Sequence, residues 1–114
     1  MAAMNETMRT AETQATRFLE TNKLTAGMYV RVHGDHLIAG RREAGPEGLE
    51  DDDRVRLTRL DNGSYGLSLK RHTGRWERTP FSGNMAAMVK TIWEFMQHLV
   101  VPYRSVSELS GCAY

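Results

Sequence analysis

This chain is short of several things, and each shortage excludes something. It has one cysteine, Cys112, among 114 residues. One thiol cannot close an intrachain disulfide, so burial must hold the fold, alone or with a partner chain. Three prolines and ten glycines are too few for a collagen-like or Pro/Gly-rich disordered chain. An excess of one charge is also missing. Fifteen Lys and Arg against fourteen Asp and Glu leave +1, so strong whole-molecule steering toward nucleic acid or a membrane is not expected. The longest apolar stretch, within 85–101, is interrupted by Lys90, Glu94, Gln97 and His98 and is too polar to span a bilayer. No basic-then-apolar leader opens the sequence, so a soluble cytoplasmic setting is expected. No Gly-x-Ser-x-Gly elbow and no phosphate-cradling glycine loop is present. The reading is therefore of a non-enzymatic protein without a cofactor.

What is present resembles an ordinary single domain, with 40% hydrophobic and 25% charged residues, and flexible ends expected at 1–3 and 104–114. Met4, Met8, Ala11, Ala15, Phe18 and Leu19 recur at the spacing of one helix face over 4–21. Strands follow. Met28, Val30 and Val32 alternate with Tyr29, Arg31 and His33, and Gly34-Asp35 suits a two-residue turn into a strand over 36–42. Residues 43–53 hold six acids with Pro46 and two glycines, which predicts a solvated acidic loop. A third strand over 54–60 is predicted to set Val55 and Leu57 against Arg54, Arg56 and Thr58. Asp61-Asn62-Gly63 turns into a fourth strand with Tyr65, Leu67 and Leu69 on one side. A short fifth strand over 75–79 is predicted to point Trp76 inward and to stop at Pro80. Asn84 caps a second helix running to about Val100, with Pro102 as its stop. The expected architecture is α+β: helix, antiparallel meander of about five strands, helix, with both helices on one face of the sheet.

The neutral total hides segregation. Outside the acidic loop, residues 27–80 carry ten Lys or Arg and three acids. Alternation predicts a basic open face displaying Tyr29, Arg31, His33, Arg54, Arg56, Lys70 and Arg75, a surface suited to an acidic protein partner. The same face is the alternative site for single-stranded nucleic acid, with Tyr29 its one clear stacking residue. The helix over 85–100 is unusually wide in apolar residues, and Met88, Trp93, Phe95 and Met96 are the candidate contacts of a homodimer or a partner. His33 and His36 face each other across the Gly34-Asp35 turn, about 5 Å apart at Cβ. They are a weak metal pair, because zinc needs further ligands, and they anchor the third reading, a small enzyme or metal protein.

Overall fold

A computed structural model of the protein describes residues 2–101. The expected stop at Pro102, Cys112 and the end segment 104–114 lie outside the described residues, as does the side chain of Met4. The order is α1 (Ala2–Glu20), β1 (Tyr29–His33), β2 (His36–Gly45), β3 (Gly48–Arg59), β4 (Tyr65–Lys70), β5 (Trp76–Gly83), α2 (Met85–Phe95) and α3 (Gln97–Val100). The five strands form one antiparallel meander in sequence order, and the helices flank one face, as the hydrophobic pattern requires.

The helix stripes are where periodicity places them. Met8, Ala11, Ala15 and Leu19 of α1 and Met85, Met88, Val89 and Ile92 of α2 are all buried. They pack on Leu37, Ala39, Val55, Leu57 and Leu67 from the central strands. Each large aliphatic side chain so buried contributes about 1.5–3 kcal/mol. The small residues Ala11 and Ala15 at the middle of α1 permit a close approach to the sheet. Asn84 caps α2, its side chain accepting from the Ala87 amide at 2.8 Å. The expected single helix to Val100 is instead broken at Met96, whose backbone leaves the helical region before α3 begins.

Three strand expectations need correction. The acidic segment 43–53 is not a loop. It is the far half of a long β2–β3 hairpin, in which Glu43 opposes Glu50 and Gly45 opposes Gly48. The turn needs only Pro46 and Glu47, with Gly48 at φ +114°, so the proline and glycines shape the hairpin end instead of abolishing the strands. Secondly, β5 runs through Pro80 to Gly83, because β5 is an edge strand and a missing N–H is tolerated there. Thirdly, the register slips between Ala39 and Gly40: Ala39 pairs with Val55, but Gly40 pairs with Asp53. Arg54 is therefore an extra residue in a β-bulge, and the alternation of β3 changes phase at that point.

Candidate functional site

The bulge decides which basic residues reach the open face. Beyond it Asp53 lies on the open side, where it accepts hydrogen bonds from the Tyr29 hydroxyl and from Arg31 Nη2, the latter at 2.7 Å. Arg54 turns to the helix side and is 4% exposed. Its Nη1 donates to the carbonyls of Leu99 and Val101, and its Nη2 to Glu43 at 2.7 Å. The expectation that Arg54 lies on the open face is thus corrected: a single inserted residue reverses its side. Arg41 also lies on the helix side, and its Nε donates to the Val100 carbonyl at 2.6 Å.

The open face has one row crossing all five strands: Arg31, Ile38, Arg56, Ser68 and Arg78 are paired in succession. Lys70 and Trp76 pair beside it. Trp76 was expected inward, yet the Arg56 guanidinium stands 4.8 Å from its ring centroid and the Lys70 ammonium 5.9 Å. It faces outward between two cations, an arrangement the aromatic quadrupole favours. Arg75 is exposed in the turn before β5. His33 and His36 oppose one another as expected, and His36 Nδ1 is 2.8 Å from the Thr58 hydroxyl. Among the described residues, no group of three or more His, Cys, Asp or Glu is placed to hold a metal ion.

The cations divide by partner. Arg31 pairs with Asp53, Arg42 with Asp51, Arg54 with Glu43 and Arg71 with Glu77. Arg56 and Arg78 pair with no carboxylate among the described residues, and the buried Arg56 Nε has no hydrogen-bond acceptor there. Burial, and then the charge of Arg78, hold the Arg56 guanidinium below its ordinary value. Burial and the charges of Arg56 and His33 also lower His36. Arg78 and Trp76 are the site residues that alternation missed, whereas Ser68 falls on the Lys70 side by alternation. The usable signal was the turn over 71–75: it makes Lys70 and Trp76 cross-strand partners, so they share a face, and Arg78 follows two residues later.

The Tyr29–Asp53–Arg31 cluster carries a pH prediction. Burial alone lifts the Asp53 carboxyl. The hydrogen bonds from Tyr29 and Arg31, with the charges of Arg31 and Lys70, outweigh it and hold the group below its usual range. Burial, reinforced by Asp53, raises the Tyr29 phenol. Folding therefore favours ionised Asp53. Its contribution is complete above the unfolded value near ~3.9 and disappears as pH falls through the lower folded value. Asp53→Asn is expected to cost about 1 kcal/mol at pH 7 and progressively less in acid. Urea midpoints of variant and parent should converge between pH 5 and pH 2; a constant gap would refute the linkage.

The residues expected on a helix contact surface are mostly elsewhere. Met88 and Met96 are each 3% exposed and belong to the core. Trp93 is half-buried, its indole N–H donating to Thr25 Oγ1 at 3.0 Å. Phe95 alone of the four is widely exposed, stacked on Phe81 at 5.6 Å between centroids.

The result is a small α+β domain with an exposed basic surface able to form salt bridges to an acidic partner. No helix among the described residues is long and apolar enough to cross a membrane. Compared with known proteins, the chain matches no protein-family model, no curated protein and no solved structure.

Proposed function

We propose that this protein is a macromolecule-binding accessory or inhibitory factor that engages an acidic protein surface through its open sheet face. One observation carries the reading. Arg56 and Arg78 share a row on that face and have no internal carboxylate partner among the described residues, whereas their neighbour Arg31 is matched by Asp53. A charge already matched inside the fold has little to offer a partner. Two unmatched guanidiniums beside Lys70 and an outward Trp76 combine charge with an aromatic anchor, the composition enriched at binding hot spots. Arg75 and Lys70 extend the positive rim, which speeds encounter more than it strengthens the final complex.

The test is capture of the partner from native lysate, identified by mass spectrometry, followed by titration with purified partner. Joint reversal of Arg56 and Arg78 to Glu should weaken binding by about a hundredfold or more. The far-ultraviolet circular dichroism should not change. Equal capture by the reversed variant ends this reading.

A second reading has its own support. Trp76 adds an aromatic to a face on which the sequence offered only Tyr29, and an aromatic beside cations can stack an unpaired base. Here a fluorescent single-stranded oligonucleotide should bind at low salt and dissociate steeply as salt rises. Absence of binding at low salt removes it.

A further inference from the structure

Beneath the two unmatched arginines the sheet has a depression of about 170 Å³. Its wall includes His36, Arg56, Thr58, Ser68 and Arg78. Ser68 is the register partner of both Arg56 on β3 and Arg78 on β5. The two guanidiniums thus rise from strands on either side of β4, with their backbones about 10 Å apart. One end of the floor is Gly66, where an added Cβ would meet only the Leu60 side chain, at 3.9 Å. The floor there is bare backbone, open to a ligand.

We propose that this depression binds a dianionic phosphoryl group, of the phosphate or phosphate-monoester class. The proposal rests on the reading of the open face as a surface for anions and says which anion fits. Three features of the site select it. Two like charges are held side by side with no carboxylate between them, so a dianion balances the pair where a single carboxylate leaves one charge over. Arg56 and Arg78 both line the one depression, so a single occupant meets both side chains. The donors are also of the right kind. Planar guanidiniums match phosphoryl oxygens in a fork geometry, and the Ser68 hydroxyl lies between them in the row. Thr79 is otherwise engaged, since its hydroxyl donates to the Leu67 carbonyl at 2.8 Å. The depression is shallow and open at the surface, so the group can arrive alone or at the end of a longer molecule.

The experiment uses the full chain and inorganic phosphate, at constant ionic strength set with sodium chloride, read by amide chemical shifts. Saturable shifts should centre on Ser68 and Thr58. Arg78→Gln should weaken the affinity about tenfold or more. Arg78 is exposed and makes no internal ion pair among the described residues, so its loss should not affect folding. Lys70→Gln, on the same face but outside the depression, should change the affinity less than about twofold. Acetate should give no saturable response. A phosphoserine peptide provides the second arm. If it binds more tightly than inorganic phosphate, the source is a phosphorylated side chain on the partner; if it binds equally, the source is a free anion. Both support the site. Unsaturable shifts, equal losses in the two variants, or binding of an oligonucleotide diester without any monoester response would overturn it. Partner capture tests the open-face function on its own. Phosphate binding with charge-independent capture sinks that reading alone, while charge-dependent capture without phosphate binding sinks only this site.

Discussion

Arg41→Met is expected to cost the fold about 3–5 kcal/mol, a large part of the stability of a domain this size. Arg41 is 7% exposed. Its Nε donates to the Val100 carbonyl, its Nη1 to Ala26 at 3.0 Å and its Nη2 to Leu24 at 2.9 Å. One side chain on β2 therefore ties the α1–β1 connection to the end of α3. Arg54 completes the arrangement through Leu99 and Val101, so three consecutive carbonyls, 99 to 101, each accept from a guanidinium. The carbonyls at a helix end lack helical partners and carry the negative end of its dipole, which is where cations are favoured. Methionine fills similar space but leaves three carbonyls short of a donor, with one at a residue that is fully buried, Val100. Lysine keeps the charge, yet a compact ammonium cannot reach three separated acceptors as a guanidinium does. Arg41→Lys should therefore recover less than half of the loss. Urea unfolding would measure both. A methionine variant within about 1 kcal/mol of the parent would show that the carbonyls find water instead.

Gly40→Ala is expected to be nearly as damaging, for a steric reason. Gly40 has no unusual φ, so conformational freedom is not what this position demands. It sits opposite the bulge, and a Cβ there would run into the Asp52 carbonyl oxygen, the Tyr29 hydroxyl and, at 2.8 Å, the Asp53 Cα. Two of these are backbone atoms of the neighbouring strand and cannot swing away. The substitution must push β2 and β3 apart or expel the bulge, at a cost of about 2–4 kcal/mol. That corresponds to a melting temperature lower by on the order of 10 °C or more. Expelling the bulge would also bring Arg54 toward the open face and disrupt the Tyr29–Asp53–Arg31 cluster. Gly66→Ala is the matched control: its Cβ has ordinary contact distances and should change stability by less than about 0.5 kcal/mol. Equal effects at the two glycines would show that lost chain entropy, not the close approach, governs Gly40.

These two neighbouring positions show how far a sequence can be read. The two long helix stripes, the Gly34-Asp35 turn and the cap at Asn84 were legible, because each depends on residues within a few positions of one another. The alternation of β1, β4 and the part of β3 after the bulge was legible too. It puts Val30, Val55, Leu57 and Leu67 toward the helices, and Arg31, Arg56 and Lys70 away from them. The acidic stretch reads as a loop because like charges on an isolated segment repel, whereas on a hairpin Asp51 meets Arg42, and Asp52 and Glu43 meet Arg54. Asp52 and Arg54 are near neighbours on β3, but Arg42 with Asp51 and Glu43 with Arg54 lie on opposite strands, and only pairing brings those close.

The sequence by itself determined the α+β class, the meander and the greasy side of the sheet, since periods of 3.6 and 2 are local properties of the chain. Only the tertiary structure decided which arginines remain unmatched. An extra residue in one strand is visible only against its neighbour's register, and that single step carried Arg54 beneath the helices. Trp76 and Arg78 gained the open side through the pairing of β5 with β4. Phase along a strand is set by its partner, and a bulge such as the one at Arg54 shifts that phase without any mark in the strand's own alternation.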